Sequence, residues 1–458
     1  MAYADLAEPV LAGPTPPAKP PSFLKALSMA GDDQLAMFPQ AAYEQPAFEF
    51  NTFGRFILIN DPAAIKAVLL DRVENYPKHP QEQETLGALF GEGILTSGGE
   101  KWRAHRKIMS PAFDVRSLRA YAPQMAATTE SWMAGWDALP GGSGVEALAA
   151  MTDLTLQIIA RTVFSSDVGH MTSLVGRTFN EAEAALDFGL VDILPVVGPW
   201  RRRERRRAIQ AVFADLDAEI ARLVAKRVAH RAEAQPDLLS RLVDAQDPDT
   251  GVGMTAAEVR DQIVTIFVAG HETTAVAMTW IWYLLAQHPT EEAWLHAELD
   301  AVLGGRTPTY EDLSRLPYTR WVIEEAMRLY PPAPGLSTRI ALEADTLAGT
   351  TIPKGAMIGV TPWVLHRHRD LWEQPLRFDP ERFSPESAAG RHRYAYLPFG
   401  GGPRVCIGMA MAMNETMIIL ATLAQRFRLR LAEGAVVEPA AKITLRPRFG
   451  MPMVLERR

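Results

Sequence analysis

The chain of 458 residues is too long for a minimal binding module. Its 48% hydrophobic and 22% charged residues are typical of globular proteins with a large core and exclude a disordered chain. With 47 basic against 54 acidic residues the net charge is -7, so no overall basic field attracts nucleic acid and we expect no nucleic-acid partner.

The N-terminal segment predicts neither a secretory signal nor a regular element. Residues Met1 to Gly13 lack a basic stretch followed by an apolar run, which is the pattern of a signal peptide. Gly13 to Ser22 (GPTPPAKPPS) is too rich in proline to be helical or to supply the donors of a strand. We expect this stretch to be extended and poorly ordered, within a Pro-rich arm over residues 1–22 that precedes a single large domain over residues 23–458.

Regular structure is predicted to begin near residue 48. The run Phe48 to Asn60 combines aromatic and β-branched residues around a glycine, which predicts a hairpin or two short strands. Asp61 and Pro62 are residue types preferred at the N-cap and at the first position of a helix. A helix is therefore expected to follow the strands directly.

The middle of the chain, from about Leu118 to His288, has helical periodicity and no convincing strand pattern. Its longest apolar stretch, Ile263 to Ala286, approaches the length of a membrane span, but His271 and Glu272 at its centre would be costly in hydrocarbon. We expect a buried helix there and no transmembrane segment. Breaks between helices are predicted at Pro140 to Gly142, Leu194 to Trp200 and Asp247 to Gly253.

The last third of the chain has a different texture. After Arg328, short β-branched runs such as Ser337 to Leu342 and Met357 to Thr361 predict strands. A helix is expected from Ile407 to Arg426, and hairpins from Phe427 to Leu455. Together the elements predict a fold that is mainly α with small β-sheets.

The lone cysteine, Cys406, lies between a glycine-rich turn at residues 400–402 and a predicted helix. One cysteine excludes an intrachain disulfide and a site with several thiolates, and it is typical of a reducing compartment, so we expect a cytoplasmic protein. Free N–H groups at a helix N-terminus stabilise a thiolate, the form that ligates metals or attacks substrates. The glycines would let the backbone approach a bulky planar partner. On the cysteine alone, an inert buried thiol stays the alternative.

The spacing of residues around this cysteine resembles the heme-binding loop of the cytochrome P450 family. Five positions carry the resemblance: Phe399, Gly402, Arg404, Cys406 and Gly408. It implies the cytochrome P450 fold, heme b (iron protoporphyrin IX) as the cofactor, and the Cys406 thiolate as the ligand of the iron. Phe399, Arg404 and Gly408 would contact the same cofactor.

A second segment, AGHETT from Ala269 onwards, is similar to the oxygen-activation segment of that family. The resemblance implies that Ala269 lies against the heme and that Glu272 and Thr273 relay protons. A threonine hydroxyl can bond to the carbonyl four residues earlier, and Gly270 removes a side chain, so we expect a local widening of the helix. A polar stripe facing solvent is the alternative. A zinc-binding HExxH motif is excluded, because residue 275 is Ala275.

An acid and a base three residues apart, Glu325 and Arg328, form by themselves an ordinary helix pair. The resemblance implies more, because Arg382 in the later sequence PERF would join them in a buried triad. We expect this triad to be structural and to hold the loop beneath the heme.

Heme carries two propionates, which arginines bind well through their planar set of donors. By resemblance, Trp102 and Arg106 of a WxxxR sequence would hold them together with Arg339 and Arg404, with His105 as a weaker candidate. Each of these arginines taken singly could instead be a solvated surface residue.

A strongly basic run, Arg201 to Arg207, contains six arginines. A solvated helix start is the simpler interpretation. Contact with an anionic membrane is the alternative, and it would be helped by the preceding apolar residues Leu194, Val196, Val197 and Trp200.

The resemblance implies a heme-thiolate monooxygenase that inserts one oxygen atom from O2 into a hydrophobic small molecule, by hydroxylation or epoxidation. The sequence contains no GxGxxG motif, flavin module or iron–sulfur cysteine set, so electrons are expected from a ferredoxin or flavodoxin with an NAD(P)H-dependent reductase. The alternatives are a heme-thiolate protein that rearranges its substrate or uses peroxide, and a heme sensor or carrier without turnover. By family position the pocket would be lined by Leu86 to Leu95, Phe188 to Val197, Phe267 to Thr273 and Pro334 to Thr338.

Overall fold

The structure is a computed structural model. Helices make up most of it, which confirms the prediction of a mainly α fold. The described residues are 11–22, 25, 29, 34–50, 55–165, 198–230, 237–441 and 443–458. The helices are α1 (Pro62–Lys66), α2 (Pro80–Phe90), α3 (Gly99–Met109), α4 (Val115–Asp137), α5 (Ala147–Phe164), α6 (Gly198–Ala229), α7 (Leu238–Asp244), α8 (Ala256–Gln287), α9 (Pro289–Leu303), α10 (Pro317–Leu329), α11 (Pro362–Leu365), α12 (Pro385–Ala388) and α13 (Met409–Leu423).

Short strands form small sheets at the edges of this helical body. The orders are β1-β2-β7-β4, β3-β11-β8, β9-β10 and β5-β6 within the described residues. The strands are β1 (Ala47–Phe50), β2 (Phe56–Ile59), β3 (Gly144–Glu146), β4 (Arg339–Ile340), β5 (Asp345–Leu347), β6 (Thr350–Ile352), β7 (Met357–Gly359), β8 (Phe427–Leu431), β9 (Pro439–Ala441), β10 (Leu445–Pro447) and β11 (Pro452–Arg457).

Local signals located most of these elements. The hairpin is present as β1 and β2, paired antiparallel with Ala47 opposite Ile59. Asp61 caps α1 as predicted, because its carboxylate accepts a hydrogen bond of 2.7 Å from the Ala64 N–H. The expectation of no strand in the middle was wrong, since β3 pairs with β11 at the far end of the chain. Because the partner strand is far away in the sequence, these three residues leave no local pattern to recognise.

The long helix α8 forms the centre of the molecule. It packs against α5, α6, α10 and α13, and its residues from Val259 to Leu285 are mostly buried. Gly270 allows the close contact with α5, because an added Cβ would lie 3.1 Å from the Ile159 side chain. The described helix is continuous from end to end, so the expected local widening at Gly270 is not found.

Among the described residues, one helix is long and apolar enough to cross a membrane by length and composition. It is α5, and 61% of it is buried inside the protein. The sequence had pointed instead to Ile263 to Ala286, which lies within α8. Because α5 packs against α4 and α8, its apolar character is that of a core helix.

The N-terminal arm contacts the core through two buried tyrosines. The Ala12 N–H donates to the Tyr283 hydroxyl at 3.0 Å, and the Tyr330 hydroxyl donates to the Ala12 carbonyl at 2.9 Å. The Tyr330 ring stacks on Trp280 at a centroid distance of 4.1 Å. Within the Pro-rich stretch itself, the Gln40 N–H donates to the Pro17 carbonyl at 2.9 Å, so the arm contacts the rest of the protein at Ala12 and Pro17. The domain boundary at residue 22 stays a prediction.

The basic run lies at the start of α6. Arg203 and Arg207 are exposed there, as a solvated helix start requires. Leu194, Val196 and Val197, which would support membrane contact, lie outside the described residues, and so does most of the break predicted from Leu194 to Trp200. The break predicted from Asp247 to Gly253 is confirmed between α7 and α8.

Candidate functional site

The loop before α13 folds tightly around Cys406. Its N–H donates to the Phe399 carbonyl at 2.9 Å, and the Val405 N–H donates to the Gly402 carbonyl at 3.1 Å. Gly402 has a φ of +67°, and an added Cβ would lie 1.9 Å from the Leu69 carbonyl oxygen. Only glycine fits this position. Gly408 is the N-cap residue of α13, so the cysteine lies just before a helix start, as predicted.

Cys406 is a free cysteine with an accessible side chain, although protein atoms surround it closely enough that burial raises the pKa of its thiol. An accessible side chain in such a place lines an internal space. The Gly408 N–H and Arg106 lower the pKa of Cys406, but they do not offset burial. The helix start thus stabilises the thiolate as expected but does not outweigh burial, and a bound metal cation would have to supply the remaining stabilisation.

The middle of α8 contributes another accessible surface inside the core. Ala269 is exposed although Val268 and Phe267 before it are buried, so this residue also faces an internal space. The Thr273 hydroxyl, one turn later on the same face, donates to the Ala269 carbonyl at 2.8 Å. This is the expected bond to the carbonyl four residues earlier.

Aromatic and cationic side chains converge beside the cysteine loop. Arg106 on α3 donates to the Val405 carbonyl at 2.8 Å, and Arg404 donates to the Ser97 carbonyl at 2.9 Å. The Arg404 guanidinium lies 4.1 Å from the centroid of the Trp102 ring. The structure therefore brings Trp102, Arg106 and Arg404 to one place, although they come from segments about 300 residues apart.

Arg339 on β4 completes this group of cations. It is 6% exposed, and its Nε atom is buried without a hydrogen-bond partner. Burial lowers the pKa of Arg339, and burial with the nearby Arg339, Arg103 and Arg106 lowers the pKa of Arg404 to about 10. Crowded, unsatisfied cations are stabilised by an anion. The donor set, the glycine turn and the accessible thiol fit a planar dicarboxylate with an axial sulfur ligand, which is the chemistry of heme.

His105 points away from this group of cations. Its Nε2 lies 3.2 Å from a Glu258 carboxylate oxygen, and its Nδ1 lies 3.0 Å from Gln262 Nε2. Both partners belong to α8, so His105 links α3 to α8 and is not aimed at the propionate site. Among the described residues no group of three or more metal-ligating side chains occurs.

Glu325, Arg328 and Arg382 meet in the core. Arg328 donates two parallel bonds of 2.7 and 2.8 Å to the Glu325 carboxylate, and both residues are fully buried. Arg382 Nε lies 3.4 Å from Glu325 Oε1. Arg328 also donates to the carbonyls of His366, Pro375 and Arg377. The three predicted residues thus fix the segment that leads into the cysteine loop.

Glu272 and Thr273 are neighbours on α8 but take different partners. The Glu272 carboxylate accepts hydrogen bonds from the Thr444 hydroxyl at 2.6 Å and from Arg446 Nε at 3.0 Å. Thr444 and Arg446 are not predicted from the sequence as partners of Glu272. Both residues lie in a segment that the sequence predicts to form hairpins, but the local sequence does not indicate that this segment contacts α8.

The segment after α2 packs closely on α8. At Gly93 an added Cβ would lie 2.1 Å from the Thr265 hydroxyl, and the Ile94 N–H donates to Gln262 Oε1 at 2.7 Å. The predicted lining stretch Leu86 to Leu95 therefore contacts α8 at Gln262 and Thr265, within two turns before the other predicted stretch, Phe267 to Thr273. A third predicted stretch, Pro334 to Thr338, lies beside the cysteine loop, since a Cβ added at Gly400 would lie 3.8 Å from the Leu336 side chain. The fourth, Phe188 to Val197, lies outside the described residues.

Comparisons with known proteins agree with one another. The family model for cytochrome P450 matches residues 14–451. Cyclooctatin synthase of Streptomyces melanosporofaciens is 34% identical over 435 residues, covering 93% of this chain and 89% of that protein. Cyclooctat-9-en-7-ol 5-monooxygenase of the same organism is 34% identical over 429 residues, covering 92% and 87%. The crystal structure of the cytochrome P450DA heme domain matches with a TM-score of 0.85 and 28% identity, covering 98% of each chain.

Proposed function

The chain belongs to the cytochrome P450 family, and from this premise we propose how its own residues carry out the reaction. It is a heme-thiolate monooxygenase that oxygenates hydrophobic substrates. The heme, when bound, supplies the reductive activation of O2. The observation that carries the residue assignment is the accessible Cys406 thiol inside the core, between a glycine turn and a group of arginines.

In this proposal the thiolate of Cys406 ligates the iron, and Phe399 and Gly408 shape the loop that presents it. Arg106, Arg339 and Arg404 bind the propionates, with Trp102 supporting Arg404 through ring stacking. Ala269 leaves room for the cofactor on the α8 side. Glu325, Arg328 and Arg382 have a structural role.

The absorption spectrum of the purified protein, reduced with dithionite and exposed to carbon monoxide, tests this assignment. We expect a strongly red-shifted Soret band, which requires an axial thiolate. Product formation driven by NAD(P)H and added redox partners then separates a monooxygenase from a heme sensor or carrier. Equal turnover with peroxide and without reductant would instead favour a peroxide-using or rearranging enzyme.

We propose Glu272 and Thr273 as the proton relay. The Thr273 hydroxyl lies on the α8 face that carries accessible Ala269, while the Glu272 carboxylate is held at Oε1 by Thr444 and Arg446. Glu272 can carry a proton to the cavity only when its side chain leaves these partners. Thr444 and Arg446 therefore set the resting position of the Glu272 carboxylate, from which it must turn to take part in the relay.

Thr273→Ala should keep heme and substrate binding but lower product formed per NAD(P)H by about tenfold or more, since a positioned proton donor is worth at least that factor. The lost electrons should appear as peroxide or water. Thr274→Ala is the matched control, because the Thr274 hydroxyl makes the same type of bond, to the Gly270 carbonyl at 3.0 Å, from a buried position. Unchanged coupling in Thr273→Ala would contradict the relay.

We propose that the electron donor, a ferredoxin or flavodoxin reduced by an NAD(P)H-dependent reductase, docks beside the cysteine loop. A cleft of about 260 Å³ there is lined by Phe399, Val405 and Met409, with Arg320 and Arg393 also on it. Both arginines are exposed. Arg320 is paired at 3.1 Å with Glu324, which also lines the cleft, so these three residues leave one positive charge in excess. An excess positive charge beside the iron ligand suits an acidic electron carrier.

Arg320→Glu and Arg393→Glu should each raise the KM for an acidic carrier, by roughly tenfold at low salt, because charges at the rim of an interface mainly set the rate of encounter. The carbon monoxide spectrum should not change. Lys354→Glu is the control. Lys354 lies in the turn between β6 and β7, is exposed and is paired with Glu343. Equal KM values in all three variants would place the docking surface elsewhere.

The substrate is a hydrophobic small molecule. Because one relative is named as a monooxygenase of cyclooctat-9-en-7-ol, we propose an unsaturated cyclic alcohol of this kind as the first compound to test. We also propose that the enzyme acts in the cytoplasm, which is supported by its single, unpaired cysteine.

A further inference from the structure

A lysine that no motif contains lies beside the propionate-binding arginines. Lys78 precedes α2 and forms an isolated antiparallel bridge with Arg339 of β4. Two backbone bonds continue this pairing, from the His79 N–H to the Thr338 carbonyl and from the Ile340 N–H to the Pro77 carbonyl. The backbone around Lys78 is therefore fixed next to Arg339.

The Lys78 side chain is half-buried and lies near the like charges of Arg339 and Arg404. Its ammonium donates to the Leu95 carbonyl at 2.7 Å. Burial, Arg404 and Arg339, in that order, lower the pKa of Lys78 to about 8. A lysine in solution has a pKa near 10.4, so the surroundings of Lys78 disfavour its charged form.

One carboxylate, that of Glu82, partly neutralises this group of positive charges. It raises the pKa of both Lys78 and Arg339, but one of its oxygens already accepts a bond of 2.8 Å from the Thr338 N–H. Three cations against one acid leave an excess of positive charge in a partly dry site. Such a site is stabilised when a further anion enters it.

From this geometry we propose that Lys78 binds a carboxylate, which a heme propionate supplies, and that it connects this carboxylate to the Leu95 carbonyl. An ammonium has three donors. One serves Leu95 and two remain for the incoming oxygen atoms. The inference rests on the proposed function, because it takes heme as the ligand of the site.

Through Leu95, Lys78 is joined to the segment that packs on α8. Leu95 belongs to the segment in which Ile94 bonds to Gln262 of α8 and Gly93 packs on Thr265. Lys78 would therefore link the cofactor to the segment that packs on α8, and loss of the lysine should weaken the hold on the cofactor.

The rate of heme loss from the purified holoenzyme to an excess of apomyoglobin tests the proposal. Lys78→Met removes the charge and keeps the length of the side chain, and it should speed heme loss on the order of tenfold, the worth of one charge-assisted hydrogen bond. Lys78→Arg keeps the charge and should restore most of the wild-type rate. Lys66→Met, at an exposed lysine paired with Asp71, should not change it.

A second measurement distinguishes carboxylate binding by Lys78 from a merely structural role. The holoenzyme is assembled with heme dimethyl ester, whose propionates carry no charge. With this cofactor, wild type and Lys78→Met should lose heme at the same rate. If Lys78→Met speeds the loss of heme and of its ester equally, Lys78 acts only by holding Leu95 and the proposal is wrong. It is equally wrong if Lys78→Met matches wild type with both cofactors, whereas a wild-type protein without any Soret band would instead defeat the proposed function.

Discussion

Cys406→Ser should abolish the red-shifted band of the reduced, carbon monoxide-bound protein. A serine hydroxyl has nearly the shape of the thiol but is not a thiolate donor, so any bound heme would have a neutral or different axial ligand. The loop should survive the change, because its bonds at this residue use the backbone N–H to Phe399. Absorption spectra of the two proteins, prepared identically, give the comparison.

Measurements of the unfolding free energy show whether the loss of the band comes from the missing thiolate or from a failure to fold. The unfolding free energy of the heme-free forms should differ by less than about 1.5 kcal/mol, as expected for a substitution of similar volume. A serine variant with the wild-type band would overturn the central assignment. A variant that fails to fold would show the same loss for a different reason, and urea unfolding followed by circular dichroism distinguishes the two.

Glu325→Ala should destabilise the fold by about 3–5 kcal/mol, the usual effect of removing one partner of a buried ion pair. Arg328 would keep its charge in a fully buried position. The Asp379 N–H, which donates to the same carboxylate at 2.9 Å, would lose its acceptor as well. Because this segment precedes the cysteine loop, we expect a protein that retains little heme, measured as the ratio of Soret to protein absorption.

Helix α6 offers a matched control for this variant. Glu219 and Arg222 have the same spacing of three residues and the same two parallel bonds, of 2.8 and 2.7 Å, but Arg222 is largely exposed. Glu219→Ala should cost less than about 1 kcal/mol and leave heme content unchanged. If both variants were equally stable and equally loaded with heme, the triad would have no structural role.

The candidate site was predictable where its chemistry is local. Cys406, Gly402 and Gly408 lie within one short loop, and its turn needs glycine at a position where a Cβ would meet the Leu69 carbonyl. The threonine bond to the Ala269 carbonyl likewise follows from helix geometry. Such residues leave a pattern in sequence because the backbone itself demands them.

Residues that act across long sequence separations left no such pattern. Arg446 reaches Glu272 over 174 positions, and Lys78 meets Arg339 across more than half of the chain. Gly270 was assigned to a widened helix, whereas the space next to it is taken by Ile159. In each case tertiary packing chose the partner, and the local sequence is compatible with many partners.

The arm at the start of the chain bears on the order in which the molecule is completed. Ala12 bonds to Tyr283 and Tyr330, across 271 and 318 positions, so these contacts close very long loops and form slowly. During synthesis Ala12 must wait until Tyr283 and Tyr330 have been made before it reaches these two hydroxyls. Docking of the arm is therefore expected among the last steps of folding, after α8 and α10 have come together.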